Sequence, residues 1–214
     1  MKKARTFVYA RGMKKGTATR TLILNHAVAR ASEVGLDGLS IGQLARELDL
    51  SKSGLFGHFT SKTDLQIQIL ETVTEQFTRE VVKPALKAPR GVQRLEHLFM
   101  KWLHWASSKD SERKGCPFMA AAMELDDQPG PVRDKLVQTQ QQLIDVLERT
   151  IQLGQQSHGF DPEYDPAAGA QELYGFILSF HFYNRLMKDP LAEARARKNF
   201  QRFVKRLTLQ GETR

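Results

Sequence analysis

The 214 residues are 41% hydrophobic and carry a net charge of +8, enough apolar material for a helical core in one large domain or two small ones. No apolar run approaches the roughly 18 to 20 residues that span a bilayer, and the Lys-rich start lacks the apolar segment of a signal peptide. The single cysteine, Cys116, excludes an internal disulfide and fits a reducing compartment, so a soluble, cytoplasmic protein with no membrane partner is expected.

The charge is unevenly placed. Residues 1–62 hold eleven Lys or Arg against four acids, a net +7, while the other 152 residues hold 21 bases against 20 acids, a net +1. A basic module joined to a near-neutral one suggests a polyanion-binding head and a body with another task; a merely solubilising basic surface is the alternative.

Taken in order, residues 1–16 have no helical period and two glycines, and read as a flexible basic arm. Such an arm can follow phosphates or enter a minor groove with Arg5 or Arg11, or be an ordinary disordered terminus. Thr17 or Thr19 can cap a helix to about Val34, with Ile23, Ala27 and Ala31 four apart and Leu24 and Val28 beside them. Gly35 then suits a helix end that needs a left-handed residue.

Ser40 opens a second helix with Gln43 able to reach back to it, and Ile41, Leu44, Ala45 and Leu48 recur on one face. The pattern stops at Asp49-Leu50. Asp49 stands where a turn prefers glycine, and aspartate tolerates the left-handed region better than most residues. Ser51 caps a third short helix with Leu55 and Phe59 inward. Two short helices joined by so short a turn, the second opening on small and basic residues, describe a helix-turn-helix. Its second helix would enter the major groove with Lys52, Ser53 and Gly54 nearest the bases, Lys52 suiting guanine acceptors.

Residues 23–27, Gly35, Leu39-Ser40-Ile41, Leu44-Ala45, the run Leu50 to Phe59 and Ser61-Lys62 resemble the N-terminal domain of the TetR (tetracycline repressor) family. The resemblance covers about residues 17–75. It implies an all-α protein with a three-helix helix-turn-helix domain and a helical ligand-binding and dimerisation body. It adds Phe56, His58 and Lys62 near the phosphates, with Ser40 and Gln43 from the preceding helix and Ser51 at the cap. Phe56 replaces the family's usual tyrosine, which removes a phosphate hydrogen bond, and Ala31 stands where the family usually has an aromatic residue. A lone His58 would otherwise be read as structural.

Beyond the motif, Ser61 and Asp64 form a capping box for a long helix through about Val82, striped by Leu65, Ile69, Val73 and Phe77. Pro84 to Gly91 reads as a linker. The domain division expected is an arm at 1–16, a head at 17–62 and a body at 63–214 whose residues 63–82 connect the two. Four further helical patterns and a final basic helix from Leu191 to Leu209 fill the body, with a polar loop from Ser107 to Gly115. Trp102, Trp105, Phe118, Met119, Met123, Leu147, Tyr174, Ile177, Phe180 and His181 can enclose an apolar cavity with Tyr174 or His181 as polar handle, or simply pack as core. By resemblance the last two helices pair in a twofold dimer through Phe176, Phe180, Phe200, Phe203 and Leu207, which supplies two reading heads for a palindromic site.

Two other classes compete. Cys116 with His97, His104 or His181 would be the only thiol dyad for an enzyme, but no Cys–His spacing is diagnostic, no Gly-rich phosphate loop or Gly-x-Ser-x-Gly elbow is present, and a buried structural cysteine explains Cys116 as well. Scattered histidines, His97 and His104 included, make a poor zinc site. A basic architectural protein without sequence preference is the remaining class. The reading favoured is a non-enzymatic, dimeric repressor of double-stranded DNA, with no metal or cofactor, released by a small apolar or aromatic effector.

Overall fold

The computed structural model describes residues 15–107 and 115–208, and among these every regular element is helical. The arm with Arg5 and Arg11, the centre of the 107–115 loop and the end at Leu209 lie outside the described residues.

Helix α1 (Lys15–Val34) starts two residues before the first threonine cap expected. Its stripe Ile23, Leu24, Ala27, Val28 and Ala31 is buried, as the four-residue spacing dictates. Gly35 ends it at φ +78° and donates its N–H to the Ala31 carbonyl at 3.0 Å. Helix α2 (Ile41–Glu47) and helix α3 (Lys52–Phe56) follow, each capped by the expected serine. Asp49 between them has φ +55°, the conformation anticipated for that turn.

Helix α4 (Lys62–Phe77) buries Leu65, Ile69, Val73 and Phe77. The chain does not become a linker at Pro84. A π-helical turn, Thr78–Val82, leads into a short helix α5 (Lys83–Leu86), with the Lys83 N–H bonded to the Thr78 carbonyl. Proline in a regular helix leaves a carbonyl unpaired and its ring collides with the preceding turn; the widened turn relieves both. Ala85 and Ala88 are buried, and Arg94 holds the Ala88 carbonyl with two nitrogens at 3.1 and 2.9 Å. Burial of Ala85 is what outweighs the local turn signal of two prolines.

The body adds α6 (Val92–Ser107), α7 (Pro117–Leu125), α8 (Pro131–Gln156) and α9 (Pro166–His181). A second π-helical turn, Phe182–Leu186, and α10 (Ala192–Thr208) complete it. Helix α8 packs on α4 and α9, α10 on α9, and α1 on α4 and α7. One hydrophobic core runs without a break from Ile23 to Leu207, so α4 belongs to head and body alike. No helix of the described residues is long and apolar enough to cross a membrane.

Candidate nucleic-acid interface and effector cavity

The head presents one end of α3 to solvent. Leu55 and Phe59 are buried at 0% and 1% exposure, whereas Ser51, Lys52, Ser53, Gly54 and Phe56 are exposed. Two inward side chains four apart anchor so short a helix and leave its N-terminal residues bare. The Ser51 hydroxyl accepts the Gly54 N–H at 2.9 Å and lies 3.1 Å from the Ser53 hydroxyl. The Lys52 stem crosses α2 at Gly42, where a Cβ would meet its Cε at 2.9 Å. Gly42 is therefore part of how Lys52 is aimed, and only its glycine in the first turn of α2 could have signalled it. His58 is half-buried, 6.4 Å from the Phe59 ring.

The polar residues of α2 are arranged differently from the sequence expectation. Ser40 accepts the Gln43 N–H at 3.4 Å, but the Gln43 amide donates forward to Glu47 at 2.9 Å instead of reaching back. Glu47 also takes His26 at 2.7 Å and lies 3.5 Å from the Arg30 guanidinium. At the next cap Ser61 accepts the Asp64 N–H at 3.0 Å, while the Asp64 carboxylate takes the Thr60 N–H at 2.8 Å and not that of Ser61. Lys62, exposed on α4, donates to the Asp37 carbonyl at 2.7 Å.

Partial burial pushes the Glu47 carboxyl up, but the bonds from His26 and Gln43 and the Arg30 charge outweigh it and hold the group below its ordinary 4.5. A carboxylate depressed in the folded state stabilises fully above its unfolded value, and that contribution is lost as pH falls through the folded one. Acid titration of head helicity should therefore show a loss below 4.5 that is shallower in Glu47→Gln. Identical acid limbs in the two proteins would remove Glu47 from the α1–α2 contact.

In the body, Phe77 sits edge-on to Trp102, Trp105 and Phe118 at 5.9, 5.4 and 6.3 Å. Trp102 meets Tyr174 at 5.3 Å. The Tyr174 hydroxyl donates to Gln140 at 2.6 Å, and burial followed by the neighbouring Cys116 pushes its pKa well up. Met119, Leu147 and Ile177 are buried, while Met123 is 68% exposed. These rings fill space. An open volume of about 130 Å³ lies next to them, lined by Thr74, Phe77 and Thr78 of α4 and its π turn, Phe118 of α7, and Thr139, Gln140 and Leu143 of α8 among others. Thr74 and Thr139 spend their hydroxyl protons on helix carbonyls, and no charged side chain is among the lining residues. Gln140 and the threonines were missed from sequence because they interrupt the apolar pattern.

His181 stands apart from that cavity. Its Nδ1 finds no hydrogen-bond partner among the described residues, and burial followed by Arg185 lowers its pKa. Cys116, the residue before α7, is 1% exposed. Among the described residues no three His, Cys, Asp or Glu side chains converge as metal ligands.

Of the stripe expected at the dimer interface, Phe176 is half-buried and Phe180, Phe200, Phe203 and Leu207 are buried within one protomer. Phe200, Phe203 and Leu207 are at most 4% exposed within one protomer, with Phe200 stacked on Phe99 at 4.2 Å and Phe203 edge-on to Phe176 at 5.9 Å. A side chain with no free surface has nothing left to bury against a second copy. The apolar surface on this side is instead Phe182, Tyr183, Leu186, Met187 and Leu191, 45 to 69% exposed. A groove of about 300 Å³ beside it is lined by Phe176, Phe180, Tyr183 and Arg195 among others.

A capped two-helix reader with its N-terminal end bare, mounted by a shared helix on an all-helical body, defines a DNA-binding regulator. Residues 23–69 match the bacterial regulatory proteins of the tetR family, and residues 91–200, half the chain, match the tetracyclin repressor-like C-terminal domain. The chain belongs to the TetR family of transcriptional regulators. Among curated proteins no match is found. Among solved structures, a TetR regulator from Chloroflexus aurantiacus is similar at TM-score 0.81 and 19% identity, over 92% of this chain and 98% of that one. AibR in complex with isovaleryl coenzyme A and operator DNA is similar at TM-score 0.70 and 20% identity, over 88% and 97%. FadR from Bacillus subtilis in complex with stearoyl-CoA gives 0.72 and 15%, over 87% and 98%.

Proposed function

We propose that the protein is a cytoplasmic, dimeric repressor that occludes promoters by placing two heads on a palindromic operator. The observation that carries this is the exposed N-terminal end of α3, Ser51 to Gly54, held outward by buried Leu55 and Phe59. Lys52 and Ser53 read base edges, while Ser40, Phe56 and His58 lie along the backbone of the duplex. The second head comes from a copy docked on the apolar surface of α9, its π turn and the start of α10. Two structurally similar regulators were solved with acyl-CoA ligands, which supports release by a small molecule. The uncharged 130 Å³ cavity favours a compact apolar or aromatic effector here.

Selection of bound sequences from random duplex DNA with the full chain tests this, followed by titration of the winner against scrambled DNA at two salt concentrations. An enriched palindrome bound about a thousandfold or more above scrambled DNA is expected. Steep salt dependence without enrichment would instead make the chain a basic protein that coats nucleic acid.

A further inference from the structure

The turn between α1 and α2 is gripped from the body. On α7, Glu124 accepts the Leu36 N–H with one carboxylate oxygen at 2.7 Å and the Asp37 N–H with the other at 2.6 Å. Gly35 allows this on two counts. Its φ of +78° favours glycine, and a Cβ there would stand 2.8 Å from a Glu124 oxygen. The carbonyls of the same two residues are held by α4. Gln66, buried at 6% exposure, donates to the Leu36 carbonyl at 3.0 Å, and Lys62 donates to that of Asp37 at 2.7 Å. All four backbone N–H and carbonyl groups of Leu36 and Asp37 are thus held by side chains from outside α1 and α2, just ahead of Leu39 and the Ser40 cap.

We propose that Glu124 is the positioning residue that sets the angle of the head on the body, and through it the half-site spacing the protein accepts. The spacing clause rests on the dimeric-operator reading above. A two-oxygen acceptor facing two consecutive N–H groups is directional, since each bond fixes one edge of the turn, and its charge makes both bonds strong. Helix α4 follows the head directly in the chain and packs on α1, whereas α7 comes from the body, packs on α1 as well and supplies the carboxylate that holds the turn. The same two helices, through Phe77 and Phe118, wall the 130 Å³ cavity. A ligand that shifts α7 along its axis therefore acts on the Leu36–Asp37 turn through Glu124, alongside the packing of α7 on α1, and needs no contact of its own with the head.

The test compares the full-length protein with Glu124→Ala and Glu124→Gln, the latter isosteric and able to accept only one of the two bonds. DNA carrying the selected half-sites at varied separation is titrated with each. The unaltered protein prefers one separation; Glu124→Ala should lose about tenfold or more of that preference, and Glu124→Gln less, with affinity for an isolated half-site unchanged in both. Equal spacing preference in all three overturns the proposal. The head angle is also read without DNA, from the distance between spin labels at Arg46→Cys on α2 and Val137→Cys on α8, in a Cys116→Ala background diluted with unlabelled protein. A narrow distribution that shifts or broadens on removing Glu124 supports the role, and an unchanged one overturns it. If the unaltered protein selects no paired half-sites, the operator reading fails while the label distances still decide on Glu124.

Discussion

Replacing Phe59 with alanine is expected to cost about 3 to 5 kcal/mol, the usual range for deleting a buried phenyl ring, and to abolish specific DNA binding. Phe59 is 1% exposed, three residues beyond the end of α3, and with Leu55 seats that five-residue helix on the core of the head. Helices that short do not persist in water on propensity, so packing supplies nearly all of their stability. The loss consumes a large part of the roughly 5 to 15 kcal/mol that stabilises a typical domain. Both tryptophans, Trp102 and Trp105, lie on α6 and pack on Phe77 of α4. Because the core is continuous, far-ultraviolet circular dichroism and tryptophan fluorescence should both show a lowered thermal midpoint. Retained operator affinity in Phe59→Ala would mean that α3 is not the reading element.

The second large effect concerns recognition and leaves stability alone. Lys52→Ala should lower the ratio of specific to scrambled binding by about 1 to 3 kcal/mol, the value of a good base contact, which is roughly 5- to 150-fold. Lys52 is exposed at the first position of α3, and its stem rests on Gly42. A lysine serving only as a phosphate contact would instead weaken all sequences alike and lower the salt slope by about one unit. The two roles are therefore distinguished by titrating operator and scrambled duplexes with both proteins at two salt concentrations. An unchanged ratio assigns Lys52 to the backbone of the duplex. Thermal midpoints should coincide, because the side chain makes no buried contact that the fold needs.

Local chemistry made much of the head readable. The caps Ser40, Ser51 and Ser61, the left-handed Gly35 and Asp49, and the buried stripes of α1 and α4 all follow from interactions within about four residues. Periodicity likewise located the body helices and their apolar faces. It could not say which neighbour each face would meet, and Phe200, Phe203 and Leu207 read equally well as an outer seam or an inner core.

Capping, turn conformation and helical period are short-range effects written in consecutive residues, and they suffice to read a basic helix-turn-helix head on an all-helical body. Folding in three dimensions settles that Pro84 continues a helix, that the rings around Phe77 pack while a cavity lies beside Gln140, and that Glu124 reaches the turn 88 residues away. Each of those outcomes depends on groups distant in the chain meeting at hydrogen-bonding or van der Waals range, where burial outweighs local preference and no spacing rule applies.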